Sequence, residues 1–223
     1  MPCYKIASFE MTDLPLVRKV AATGKPMSIS TGMATAAEID ETVRTARSTG
    51  CHDVVLLKCT STYPASPINT NLSTIPHLLQ LTNCKVGLSD HTMGIGVSVS
   101  AFALGATVIE KFTSARSVGG VDAAFSIEPA ELKSLVEETE RAWRALGQVR
   151  YGACSEAEQK SLAFRRSIYA CRDITTDESF TAENIRIIRP GFGLPPRYLE
   201  MCIGRKARCP IKGCTPIAWN LLA

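Results

Sequence analysis

Two short stretches of this 223-residue chain place small or polar residues at every second position. In PMSISTG they are Ser28, Ser30 and Gly32; in KVGLSDHT they are Gly87, Ser89 and His91. A period of two is that of a β-strand, so each set shares one face. Hydroxyls on such a face donate hydrogen bonds to anions. An imidazole there moves a proton, ligates a metal or simply bonds to backbone. His91 is one of three histidines and stands where an apolar run gives way to the Met93-Gly94 turn. Its position alone leaves the structural and the chemical roles both open.

Elements able to position these residues are legible along residues 1–147. Short β-rich runs recur at CYKIAS (3–8), PMSIST (26–31), DVVLLKCTS (53–61), KVGLSD (85–90) and TVIEKFT (107–113). Helical patterns lie between them. Thr35 to Glu38 reads as a capping box, with Ile39 and Val43 on one face and Gly50 as the stop. Leu132, Leu135, Val136, Thr139, Trp143 and Leu146 follow a helical period between Pro129 and Gly147. Strand–helix alternation predicts βα units, a parallel sheet and a site at the carboxyl ends of its strands. No G-x-G-x-x-G and no Walker loop follows a strand, which favours a barrel over an open nucleotide-binding sheet. Five βα units are present, against the eight of a full barrel.

Beyond these units the composition turns polar, and residues 148–163 read as a linker. Residues 164–223 carry dense turn signals around short β-rich runs and predict a small β-rich module, with strands at RRSIYACRDI and IRIIRPGFG. This module holds ten Lys/Arg and five Asp/Glu, while the rest of the chain is nearly neutral. A net charge of +4 is too mild to imply nucleic acid or membrane partners, and no aromatic platform accompanies the basic module. The basic surface therefore suits a small anion or an acidic partner. Nine scattered cysteines without a C-x-x-C pair suit a reducing compartment, and MPCYKIASFE lacks the pattern of a secretory signal. Both point to a cytoplasmic protein.

Eight strings in order, KIASFE, ISTGM, LLKCTSTYPA, GLSDHT, IEK, GGVDAAFSIEP, RRSIYA and IRPGFGLPP, resemble the sialic acid synthase family. The family condenses phosphoenolpyruvate with an amino sugar to make nine-carbon acids. KIASFE, with Phe9 where the neuraminate enzymes more often show glycine, is nearer to the pseudaminic acid synthases. The resemblance spans essentially the whole chain. It implies a partial (β/α)8 TIM barrel, about its fourth to eighth strands, over residues 1–147, followed by a C-terminal SAF (antifreeze-like) domain over 164–223. It also implies a homodimer in which SAF domains are exchanged.

The resemblance further implies roles for single residues. Lys5, Ser8, Ser30 and Ser89 would bind the phosphate and carboxylate of phosphoenolpyruvate. Tyr63 would line the sugar side, and Asp122 would meet the hydroxyls of an N-acetylated amino sugar. Arg189 would reach into the partner subunit's barrel, on a loop made rigid by Pro190 and turned by Gly191 and Gly193. His91 would be one of two histidines holding a divalent ion, Mn²⁺ or Mg²⁺. Where relatives read E-K-H-F-T this chain reads Glu110-Lys111-Phe112-Thr113, so Phe112 falls where the second histidine belongs. Metal binding is then expected to be weakened, with Glu110 and Asp90 the nearest substitutes and His52 and His77 misplaced. The reaction class is a carbon–carbon bond-forming transfer. The alternative is a catalytically impaired homologue that binds a sugar or only dimerises.

Overall fold

A computed structural model describes every residue except Met1, Arg116, Val118 and Ala124. The chain divides into two compact units, Met1–Gly147 and Gln148–Ala223.

The first unit alternates β1 (Tyr4–Ile6), α1 (Leu14–Ala21), β2 (Met27–Ser30), α2 (Ala36–Ser48), β3 (Val54–Cys59), α3 (Thr74–Thr82), β4 (Lys85–Asp90), α4 (Gly96–Ala103), β5 (Ile109–Lys111) and α5 (Pro129–Leu146). The five strands form one parallel sheet in sequence order. Registers pair Lys5 with Ser28, Ser30 with Leu57, Cys59 with Ser89 and Ser89 with Glu110. One face therefore carries Lys5, Ser28, Ser30, Cys59, Gly87, Ser89 and Glu110. The opposite face carries Ile6, Met27, Ile29, Val54, Leu56, Val86 and Leu88, which join Val17, Val20, Ile39, Val43, Ile75, Leu78 and Ala101 of the helices in one buried core. Helices thus cover one side of the sheet, and the polar side is the concave one.

The concavity follows from one contact. Lys5 on β1 lies 3.7 Å from Glu110 on β5, the two edge strands. Four strand spacings in a flat sheet would separate them by about 19 Å, beyond the reach of the two side chains. The sheet is a curled half-barrel.

Local sequence explains most boundaries. Thr35 and Glu38 form the expected reciprocal capping box at the start of α2. The strand expected over 107–113 is shorter. β5 ends at Lys111, and Thr113 makes only an isolated bridge to Ile127, because the chain turns away after Phe112. The apolar stripe of α5 forms a helix as its period predicts, yet only Leu135 is buried; Val136, Trp143 and Leu146 stay exposed. Periodicity specifies the helix and not its burial.

In the second unit, the segment expected as a linker contains α6 (Glu156–Ser161), begun by a capping box between Ser155 and Glu158. β6 (Ser167–Ala170) and β7 (Ile185–Ile188) pair antiparallel, and α7 (Leu199–Cys202) follows. Isolated bridges such as Ile174 to Ile211 and Ala207 to Leu222 complete the unit around Ile168, Phe180, Ile185, Leu194 and Ile217. Gly193 belongs to this core for a reason different from the expected turn. A Cβ there would sit 2.5 Å from the Ile168 carbonyl oxygen, so the residue is small because backbones meet.

Candidate functional site

The concave face gathers its polar residues near the carboxyl ends of the strands. Lys5 Nζ donates to Ser30 Oγ at 2.9 Å and to the Ile6 carbonyl at 3.1 Å, besides facing Glu110. Ser89 Oγ donates to Glu110 Oε1 at 3.0 Å and lies 3.4 Å from His91 Nε2. Five residues from four strands and a strand end, Lys5, Ser30, Ser89, Glu110 and His91, therefore form one connected polar network. Ser8 is adjacent through a different link. Its hydroxyl meets that of Ser61 at 2.9 Å, a contact made possible by Gly32, whose φ of +45° and missing Cβ leave room for both serines.

His91 is buried, and its ring is held at Nδ1. Nδ1 lies 3.1 Å from the Thr60 carbonyl oxygen, an acceptor only, so Nδ1 carries the proton. Nε2 then presents its lone pair beside Ser89. The backbone bond and the chemical role are thus not alternatives: a carbonyl that fixes the tautomer is how a ligand or proton-accepting imidazole is commonly oriented. Tyr63 stacks against the ring at 4.4 Å between centroids, Phe112 lies 5.6 Å away, and Phe125 closes the cluster against both Tyr63 and Phe112. A cavity of about 250 Å³ is lined by Ser89, His91, Glu110, Lys111 and Phe112.

Asp122 uses its carbonyl to hold the turn, accepting from the backbone and the hydroxyl of Ser126. Its carboxylate remains near enough to act on Tyr63. Burial first, then the charges of Cys59, Asp122 and Glu110, raise the Tyr63 phenol above its ordinary value. The phenol is therefore a proton donor at neutral pH.

Of the two substitute ligands considered, Glu110 is on the concave face and Asp90 is not. Asp90 is fully buried on the helix side. Its Oδ1 accepts from the backbone and hydroxyl of Thr92, and its Oδ2 from Ser98 Oγ and Lys111 Nζ, the last at 2.8 Å. Every lone pair is committed. The reason is strand parity, which sends Asp90 and Lys111 to one face and Ser89, His91 and Glu110 to the other. His52 and His77 are exposed, one ahead of β3 and one on α3. Arg189 directly follows β7 in the second unit and is exposed. Sequence reading missed Ser61 and Phe125; the alternation of LLKCTS, which points Cys59 and Ser61 inward together, was the available signal for the first. Among the described residues no group of three or more His, Cys, Asp or Glu side chains is arranged to hold a metal.

A curled parallel half-barrel with a polar network at its carboxyl edge, and a small β-rich unit, define an α/β architecture of two units. The chain belongs to the NeuB family, whose sequence pattern matches residues 1–151, and a SAF domain matches residues 165–223. It is 41% identical to a pseudaminic acid synthase of Campylobacter jejuni over 94% of this chain and 61% of that protein. It is 38% identical to an N,N'-diacetyllegionaminic acid synthase of the same species over 92% of this chain and 62% of the relative. A crystal structure of a Bacillus subtilis spore coat polysaccharide biosynthesis protein superposes with a TM-score of 0.63 at 32% identity, covering 99% of this chain and 67% of that one. The chain thus spans about three fifths of the length of the curated relatives it matches. No helix among the described residues is long and apolar enough to cross a membrane.

Proposed function

We propose that the chain forms the carboxyl-edge half of a site that condenses phosphoenolpyruvate with an N-acetylated amino sugar into a nine-carbon acid, as a cytoplasmic carbon–carbon bond-forming transferase of carbohydrate biosynthesis. The single observation that carries this reading is the connected network of Lys5, Ser30, Ser89, Glu110 and His91 on one concave face. In this reading β1 to β5 correspond to the fourth to eighth strands of a (β/α)8 barrel.

Phosphoenolpyruvate is a small multi-anion and needs fixed donors. Lys5 supplies charge, and Ser8, Ser30 and Ser89 supply hydroxyls. Lys5 holds Ser30 and faces Glu110 only at 3.7 Å, so an arriving phosphate or carboxylate competes with a loose ion pair. The sugar lies over Tyr63, with Asp122 toward its hydroxyls. C3 of phosphoenolpyruvate attacks the open-chain aldehyde carbon, and the aldehyde oxygen takes a proton to become a hydroxyl. Water adds at C2 and loses one proton; phosphate then leaves with the electrons of its C–O bond as the new C2 hydroxyl gives up its own proton, to the phosphate or to solvent, and becomes the ketone. The raised phenol of Tyr63 is a suitable proton source for the aldehyde oxygen.

His91 Nε2 and the Glu110 carboxylate both approach Ser89 Oγ, and one imidazole with one carboxylate is a donor set that suits Mn²⁺ or Mg²⁺ held jointly with substrate and water. Such an ion supplies polarisation of the aldehyde oxygen when bound. Phe112, in the second histidine's slot, donates no lone pair, and affinity without substrate is accordingly low. Arg189 acts from the SAF domain on the site of the partner in an exchanged homodimer.

The test is phosphate release from phosphoenolpyruvate with N-acetylmannosamine or a bacillosamine-derived amino sugar, compared with His91→Ala and Lys5→Met. Amino-sugar-dependent release lost in both variants supports the reading. The second reading, a homologue that binds sugar or dimerises without turnover, draws on Phe112; sugar binding without phosphate release favours it.

A further inference from the structure

Two lysines are buried at the carboxyl edge of the half-barrel on its helix-covered face, and only one has a counter-charge. Lys111 is paired with Asp90. Lys58, the next-to-last residue of β3, is 8% exposed and donates only to the Cys59 carbonyl at 3.1 Å and to Thr60 Oγ1 at 2.9 Å. An ammonium has three N–H donors, so one is unspent. No carboxylate among the described residues forms an ion pair with it. Burial holds the Lys58 ammonium below the usual lysine range. A cation in this condition is stabilised by an anion brought from outside.

Lys58 lines a cavity of about 460 Å³ together with Thr60, Thr62, Asn69, Asn71 and Thr74. Half of the lining residues are polar and uncharged. The side chains of Thr62, Asn69 and Thr74 make no hydrogen bond within the described residues, so two hydroxyls and a carboxamide are unspent beside the unpaired cation. Carboxylates are absent from the lining. Room, charge and neutral donors together match an oxyanion.

We propose that this cavity binds a phosphate-class oxyanion, free or as a monoester, with Lys58 as its counter-charge. Lys58 lies on the opposite strand parity from Lys5, Ser30 and Ser89, and the cavity it lines also reaches Gly32, Cys59 and Ser61 at the rim of the concave face. Lys58 is linked to His91 through one residue. Thr60 accepts from Lys58 at its hydroxyl and from His91 Nδ1 at its carbonyl. An anion that draws Lys58 outward therefore shifts the residue that fixes the His91 tautomer.

The experiment is calorimetric titration of the full chain with inorganic phosphate in a Lys5→Met background, which removes the cation of the concave face. Methyl phosphate is titrated in parallel; saturable binding of either supports the site, and the tighter of the two names the source. Lys58→Met should weaken binding about ten- to hundredfold, the usual loss for a buried charged hydrogen bond. Asn69→Asp, nearly isosteric and exposed, should weaken it severalfold by adding a negative charge to the lining. Should Lys58→Met fail to fold by near-ultraviolet circular dichroism, Asn69→Asp carries the test, and unchanged affinity in it overturns the proposal. Binding that survives both substitutions, or no saturable binding in the Lys5→Met background, overturns it as well.

Discussion

The two faces of the sheet each hold one acid–lysine pair, and the pairs differ in almost everything else. On the helix side Asp90 and Lys111 lie 2.8 Å apart with side chains 0% and 3% exposed; Thr92 and Ser98 take up the rest of the Asp90 carboxylate, and Lys111 also donates to the Thr92 carbonyl. On the concave side Glu110 and Lys5 lie 3.7 Å apart, 43% and 36% exposed, sharing their remaining capacity with two serines. A buried carboxylate with every lone pair spent has nothing left to offer a ligand. An open pair with loosely placed donors has. Neighbouring residues of one strand thus divide into a clamp and a site by parity alone.

The sharpest way to break this comparison is to remove one half of the clamp. Lys111→Met leaves the Asp90 carboxylate buried without its cation and should destabilise the first unit by about 3–5 kcal/mol, read from the urea midpoint. Asp90→Asn combined with Lys111→Met should recover most of that loss. A single substitution that costs under about 1 kcal/mol would show that the pair is not a clamp.

On the concave side the larger effect falls on binding. His91→Ala should weaken Mn²⁺ binding measured with phosphoenolpyruvate present by at least the ten- to hundredfold typical of losing a residue that supports a metal. Inserting histidine between Lys111 and Phe112 should strengthen it, by calorimetry. Tight Mn²⁺ binding that survives His91→Ala would move the metal elsewhere.

Lys5→Met sharpens the same contrast from the stability side. It should change the urea midpoint by the equivalent of only about 0–1 kcal/mol, because an exposed pair is screened by water, while phosphoenolpyruvate binding falls clearly in the same preparation. Equal losses in both measurements would make Lys5 structural.

The smallest effect concerns the second unit. Glu178 is held down to about 2 from an ordinary 4.5, chiefly by the Thr175 backbone N–H and then by Arg172. Its carboxylate therefore stabilises the folded unit fully above pH 4.5, and this contribution fades as pH falls toward 2. Glu178→Gln should flatten the acid side of the stability profile in that window, followed by circular dichroism, and leave the profile near neutral pH parallel to the parent.

Much of this was written in the order of residues. The period-two spacing of Ser28, Ser30, Ser89 and His91 fixed which side chains share a face, and the Thr35–Glu38 box fixed where α2 begins, because both are set by backbone geometry within a few residues. Family membership was legible in ordered motifs for a similar reason, since each string is local. What required tertiary structure was every relation between distant segments. Only the curl of the sheet brings Lys5 to Glu110, only the packing around β4 shows Asp90 spent on Lys111, and only the β3 loop shows Thr60 holding His91 while Lys58 lies buried without a carboxylate. Such contacts depend on strand order and on how far side chains reach across a curved surface, quantities that no short stretch of sequence contains.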